Sequence, residues 1–348
     1  MRLPEARGDL SAAVIEGLRS GQAVEVAHLP KLRDTDPLAD EDLQLALTVC
    51  YELHYSGFED VDDRWEWHPG LLALRAEMEQ LFERALRALT GPQPAVGAAE
   101  IPAALTALTA EHDGPSLGRH IQSHATIEQF REFVVHRSLY QLKEADPHTF
   151  AIPRLAGRAK AALIEIQIDE YGSGRLPRMH AELFRTTMSC LGLNTEYGAY
   201  LDRLPATTLA VTNMLSMFAL HRRLRAALTG QLAAFEMGSS LPNSRYANGL
   251  RRLGGDSRAT LFYDEHVEAD AVHEQIAAHD MCGSLVAEHP ELSADVLFGA
   301  AASEALGGRA SAHLLDSWAA GASSLRPVTG PGSAGRLPET QLPAGVAS

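Results

Sequence analysis

Apolar residues recur every three to four positions through most of this chain, and no segment alternates apolar and polar residues as a half-buried strand does. Segments 41–54, 70–90 and 127–144 each have the pattern of an amphipathic helix. Aromatic residues make up only 6% of the chain while Ala and Leu are abundant, a mixture that favours helices over strands. The sequence therefore predicts an all-α fold.

The organisation of the chain follows from where the helical pattern is interrupted. Prolines and glycines in segment 91–104 indicate a connector, so we expect a helical N-terminal annex over 1–110 and a main domain over 111–326. Residues 327–348 are rich in Pro, Gly and Ala, which predicts a disordered tail. Within the main domain we expect helices over 205–229, 230–239 and 293–318, the last with Ser293 as its N-cap.

The charge of the chain limits its partners. With 45 acidic and 30 basic residues the net charge is −15, so the surface repels nucleic acid and anionic lipid but admits metal cations. Cys50, Cys190 and Cys282 are too few and too scattered for a disulfide framework or a zinc cluster. The chain start lacks the pattern of a secretion signal, and no apolar run reaches the ~20 residues of a membrane span. We therefore expect a cytoplasmic protein.

One motif has the spacing of a metal site. His266, Asp270 and His273 are separated by four and three residues, so on a helix all three project from one face over two turns. Two imidazoles and a carboxylate suit Fe(II) and leave coordination positions open for O₂. The alternative is a solvated acidic helix, since a chain with 15 His and 45 acidic residues produces such triplets by chance.

Glu170 and His180 form a second candidate pair. On a straight helix, ten residues would place them ~15 Å apart. Two glycines and a proline interrupt the segment between them, so the chain can turn and bring both side chains to one point. An ordinary helix–turn–helix junction remains the alternative.

A third candidate is Glu144, at the end of the helix predicted over 127–144. A carboxylate at this end of a helix opposes the helix dipole, so a nearby cation would stabilise it. Lys143 or simple exposure to water could serve equally well.

Taken in order, these pieces resemble a known family. A Glu, then a Glu and a His ten residues apart, then His-x3-Asp-x2-His on a later helix is similar to the ligand pattern of haem-oxygenase-like diiron oxidases. The resemblance covers about residues 115–325 and is strongest to the branch called iron-containing redox enzymes. It includes the phrases LKEADPH, EIQIDEYG, RMHAELF and DEHVEADAVHE.

The resemblance implies a haem-oxygenase-like helical bundle that holds two iron ions and uses O₂ as co-substrate. The residues that match the family's iron ligands are Glu144, Glu170, His180, His266, Asp270 and His273. The family includes nitrosourea-forming enzymes and fatty-acid decarboxylases. The implied reaction is oxidation of a small organic substrate, with an amino-acid-like compound favoured, by N-hydroxylation or oxidative C–C cleavage. An external electron donor and a homodimer are left open.

Four further residues are candidates for orienting the ligands. His136 and Tyr140 share the face of Glu144 at helical spacing, Glu165 precedes Glu170 by five residues, and Glu236 falls in an apolar helix. Core packing for the first two, a surface acid for Glu165 and an arginine partner for Glu236 are the alternatives.

Three other functions compete with a diiron oxidase. A haem-binding or haem-degrading protein on the same fold would need an apolar porphyrin pocket. A ferritin-like bundle would need two Glu-x-x-His pairs, whereas the match Glu25–His28 falls in a segment predicted as strand or loop. A non-catalytic helical scaffold would bind almost no iron.

Overall fold

The computed structural model describes residues 1–22, 36–110 and 114–327, apart from the side chains of 268–272. Within these ranges the chain forms α-helices joined by short 3₁₀ turns, and no strand occurs. The helices are α1 Asp9–Ser20, α2 Glu41–Glu52, α3 Pro69–Thr90, α4 Ile101–Thr109, α5 Leu117–Ser123, α6 Ile127–Gln141, α7 Asp146–Thr149, α8 Gly157–Glu170, α9 His180–Cys190, α10 Ala206–Leu220, α11 Arg225–Arg252, α12 Ser257–Gln275, α13 Ser284–Glu288 and α14 Ser293–Ala319. A π-helical segment, Ile276–Gly283, joins α12 to α13. The predicted all-α class is confirmed.

Helix α11 lies at the centre of the fold, with its most extensive packing against α14 and α12. The contact with α14 brings two backbones together. A Cβ atom on Gly230 of α11 would lie 1.8 Å from the carbonyl oxygen of Val296, and one on Gly299 of α14 would lie 1.9 Å from that of Ala227. Only glycine fits at either position, so this crossing fixes how α11 sits in the core.

The N-terminal helices pack on the same core as the main domain. Thr48 of α2 donates a hydrogen bond to Asn213 of α10 at 3.0 Å, and both side chains are buried. Glu52 of α2 pairs with the buried Lys143, whose ammonium also lies 3.9 Å from the centre of the Tyr55 ring. These contacts place a residue of the N-terminal region directly behind the turn that carries Glu144. Whether 1–110 forms a separate unit stays a prediction.

Two helix predictions in the main domain were wrong. The expected boundary at 229–230 does not exist, because α10 ends at Leu220 and α11 runs from Arg225 to Arg252, with Pro242 inside it. Packing on both faces sustains α11 although Pro242 removes one helical hydrogen bond. Ser293 is the first residue of α14 and not its N-cap, since its hydroxyl bonds to both the amide and the carbonyl of Val96.

Three predictions fall partly or wholly outside the described residues: the Glu25–His28 match, the side chain of Asp270, and residues 328–348 of the predicted tail. Among the described helices, none combines the length and apolarity that a membrane crossing requires.

The crossing of α11 and α14 predicts opposite effects for two glycine substitutions in α14. Gly299→Ala places a methyl group against the backbone of α11, which we expect to cost about 3 kcal/mol or more of unfolding free energy. In Gly307→Ala the added Cβ meets no atom within 4 Å, and the higher helix propensity of Ala should stabilise by about 0.5–1 kcal/mol. Urea unfolding measures both. Equal effects would contradict the close approach.

Candidate metal centre

Glu144 lies in the turn that follows α6. Although exposed glutamates are the norm, its side chain is only 3% exposed. The amide nitrogen of Gln141 lies 2.6 Å from one carboxylate oxygen of Glu144 and 3.1 Å from the other, in the orientation that satisfies both groups. The Gln141 amide therefore fixes the orientation of the Glu144 carboxylate.

The chain between Glu170 and His180 reverses direction. Gly172 has a φ of +58°, and a Cβ atom on it would lie 2.5 Å from the backbone carbon of Arg178, so the two sides of the turn touch. Glu170 ends α8 and His180 begins α9, and the reversal brings Glu170 Oε2 to 3.1 Å from His180 Nδ1. Both side chains are buried. The predicted meeting of this pair across the helix break is therefore present in the structure.

Helix α12 supplies two buried histidines two turns apart. His266 Nδ1 donates to the carbonyl of Phe262 at 2.8 Å, which leaves Nε2 to face Glu144 Oε2 at 3.6 Å. His273 Nδ1 lies 3.4 Å from Glu236 Oε2 of α11, and Glu236 is itself only 3% exposed. The side chain of Asp270, between the two histidines, lies outside the described residues.

These side chains form two groups of three. Glu144, His180 and His266 offer ligand atoms that all lie within 4.8 Å of one another, and Glu170, Glu236 and His273 do the same. The groups adjoin, since Glu170 of one contacts His180 of the other. The rings of His180 and His266 lie with their centroids 4.4 Å apart. Each group could hold one cation.

Buried polar atoms in the site indicate that these residues fit a pair of metal ions. Glu170 Oε2 and His180 Nδ1 are buried and face each other at 3.1 Å without the geometry of a hydrogen bond, and His273 Nδ1 faces Glu236 Oε2 at 3.4 Å in the same way. Burial of such atoms is costly unless something compensates them. Carboxylate oxygens and imidazole nitrogens in equal numbers form a donor set that suits iron.

The charges in the site depend on one another. Burial opposes ionisation of Glu170, but contact with His180 and the charges of His266 and His273 outweigh it and lower its pKa to about 2. Burial also opposes the charged form of His273, yet Glu236, Asp169 and Glu170 together raise the pKa of its imidazole to about 9. For Glu144 and Glu236, burial dominates and raises the pKa. Neighbouring histidines therefore favour the ionised form of Glu170, whereas burial favours the neutral forms of Glu144 and Glu236.

Comparison with known proteins assigns the chain to a family. The sequence model of the iron-containing redox enzymes, a haem-oxygenase-like family, matches residues 131–308, which is just over half of the chain. This chain belongs to the iron-containing redox enzymes. It is also similar to a nitrosourea synthase of Streptomyces achromogenes subsp. streptozoticus, with 28% identity over 150 residues. That match covers 42% of this chain and 31% of the relative, so the chain spans about a third of the protein it resembles.

Five of the six residues predicted as iron ligands have described side chains, and the structure brings all five together: Glu144, Glu170, His180, His266 and His273. These residues belong to the turn after α6 and to helices α8, α9 and α12. All four segments lie inside the region matched by the iron-containing redox enzyme model. That these residues bind iron remains a proposal.

The four candidate orienting residues lie in different places. His136 uses both ring nitrogens on Thr208 and Ser324, at 2.7 and 3.0 Å, so it does not orient Glu144 directly. Glu165 is exposed on α8. The Tyr140 hydroxyl is buried without a hydrogen-bond partner among the described residues. Glu236 contacts His273 and stands among the ligand-type residues themselves.

Sequence reasoning missed two contacts of this iron-containing redox enzyme. Gln141 faces Glu144, and its position three residues before Glu144 is the only feature of the sequence that indicates this contact. Asp169 has its Oδ2 atom 3.0 Å from His273 Nε2, and the signal available for it was its position beside Glu170.

The raised pKa of His273 predicts how pH affects the metal-free protein. A group with a folded-state pKa of about 9, above its ordinary 6.5, stabilises the fold fully below 6.5, and this contribution is lost as pH rises through 9. We therefore expect the free energy of unfolding to fall over this range, and His273→Gln to remove part of that fall. Urea unfolding in the presence of a chelator measures both proteins. If the wild type and His273→Gln showed the same dependence of unfolding free energy on pH, the raised pKa of His273 would be contradicted.

Proposed function

We propose that this chain is a non-haem diiron oxidase or oxygenase, which uses O₂ to oxidise a small organic substrate. The observation that carries the proposal is the pair of adjoining three-residue groups, each with ligand atoms within 4.8 Å of one another. One mononuclear site would need only one such group. Membership in the iron-containing redox enzymes supports iron as the metal.

In this proposal Glu144, His180 and His266 hold one iron, while Glu170, Glu236 and His273 hold the other. Asp270, placed by its motif on the same face of α12 as both histidines, adds a fourth carboxylate. Four carboxylates and three neutral imidazoles balance the charge of two ferrous ions, which favours their joint burial. When bound, the two ions supply the electrons that reduce O₂.

The protein's own part is to position these groups and to shield them from water. Gln141 holds the Glu144 carboxylate, and the carbonyl of Phe262 holds His266 with Nε2 toward the pocket. Tyr140 has a buried hydroxyl whose pKa is raised by burial and by the charges of Glu144, Glu170 and Glu236. It therefore stays protonated beside the site, where it can donate a hydrogen bond to a substrate.

For the substrate we propose an amino-acid-like compound that undergoes N-hydroxylation or oxidative C–C cleavage. The similarity to a nitrosourea synthase, named for a product with oxidised nitrogen, supports nitrogen chemistry over fatty-acid chemistry. An external donor would return electrons to the irons between turnovers. Screening amino acids and fatty acids for substrate-dependent O₂ uptake tests this choice.

A haem-binding function on the same fold is the competing proposal, and the site does not favour it. Three buried carboxylates that contact imidazoles are a poor surface for the apolar face of a porphyrin. Haem added to the purified protein should therefore give no stoichiometric complex with a strong Soret band.

The diiron proposal predicts selective losses in two variants. Glu170→Ala and His273→Ala each remove one member of the same group, so both should abolish O₂ consumption and lower the iron content below two per chain. Their helical circular dichroism should match that of the wild type.

Glu265→Gln is the matched control. Because Glu265 is exposed beside His266, this variant should keep both irons and full activity. Iron content after anaerobic Fe(II) loading and O₂ uptake measure all three variants. Undiminished activity in Glu170→Ala and His273→Ala would refute the proposed centre.

A further inference from the structure

His266 and His273 lie on the same helix, yet their rings are held in opposite ways. His266 donates from Nδ1 to a carbonyl of its own helix and presents Nε2 to the pocket. His273 presents Nδ1 toward Glu236, which leaves Nε2 on the outer edge of its ring. The Nε2 edge of His273 is contacted instead by a residue of another helix.

That partner is Asp169 of α8. Its Oδ2 atom lies 3.0 Å from His273 Nε2, within hydrogen-bond distance. Asp169 and Glu170 are consecutive, so their side chains project ~100° apart on α8. Glu170 turns into the pocket and is buried, while the Asp169 side chain is 56% exposed and approaches His273 from the solvent side. Asp169 therefore contacts His273 from outside the pocket that Glu170 enters.

We propose that Asp169 is a positioning residue for the metal centre, which accepts a hydrogen bond from His273 Nε2 and thereby keeps Nδ1 directed at the metal. This role rests on the proposed function. Carboxylates that accept from the outer nitrogen of a metal-bound histidine fix its tautomer and increase its basicity, and their loss costs about 10–100-fold in metal affinity. Asp169 itself contacts no metal in this arrangement.

Glu165 provides a matched control. It is an exposed carboxylate on α8, one helical turn before Asp169 and on the same side of the helix. Removal of Glu165 changes the net charge of α8 by the same amount as removal of Asp169. A general electrostatic effect on metal binding would therefore appear in both Glu165→Ala and Asp169→Ala. An effect through His273 would appear only in Asp169→Ala.

The first experiment is an anaerobic Fe(II) titration of the metal-free protein against a coloured chelator. We expect two dissociation constants for the wild type, and the same two for Glu165→Ala. Asp169→Ala should weaken one of them by about 10–100-fold and leave the other unchanged. Asp169→Asn retains an acceptor oxygen and should fall between the wild type and Asp169→Ala.

A second readout reports on His273 without any catalysis. In the zinc-loaded protein with ¹⁵N-labelled histidine, the wild type should show His273 bound through Nδ1, with a slowly exchanging proton on Nε2. In Asp169→Ala this proton should exchange rapidly while the signals of His180 and His266 stay in place.

The two proposals fail in different ways. If the wild type binds two metals but Asp169→Ala matches Glu165→Ala in both readouts, the role of Asp169 is refuted and the diiron centre stands. If the wild type binds fewer than two metals, the diiron centre is refuted, and the role of Asp169 with it.

Discussion

The contact between Glu170 and His180 is the constraint around which the rest of the site is arranged. It places a buried carboxylate against a buried imidazole at the junction of the two three-residue groups, and it requires the chain to reverse within the few residues of the Gly172 turn. Polar side chains at such depth are tolerated only if charges compensate one another or cations compensate them. The glycine crossing of α11 and α14 positions the helix that carries Glu236. Lys143, paired with Glu52, supports the turn that carries Glu144.

Much of this arrangement could be predicted because its signals are local. The helical period sets the fold class, and the spacing of His266, Asp270 and His273 places them on one face without any knowledge of neighbouring helices. The glycines and the proline after Glu170 indicate a break, although not that the break folds back on itself. The family resemblance then joins pieces that are far apart in sequence, which no local pattern could do.

The parts that could not be predicted depend on contacts between distant helices. Glu236 stands alone in α11, and only the packing of α11 against α12 brings it to His273. Asp169 and Glu165 are both exposed acidic residues on one side of α8, and their spacing from Glu170 does not reveal that Asp169 reaches His273. The end of α10 at Leu220 and the continuation of α11 past Pro242 likewise follow from tertiary packing, which overrides local propensity.

The proposed centre requires that two irons occupy two adjoining groups of residues in one chain. Anomalous diffraction at the iron absorption edge, from crystals grown anaerobically with Fe(II), tests it most directly. We expect two peaks, one among Glu144, His180 and His266 and the other among Glu170, Glu236 and His273. A single peak, or iron bound elsewhere with these six side chains unligated, would contradict it.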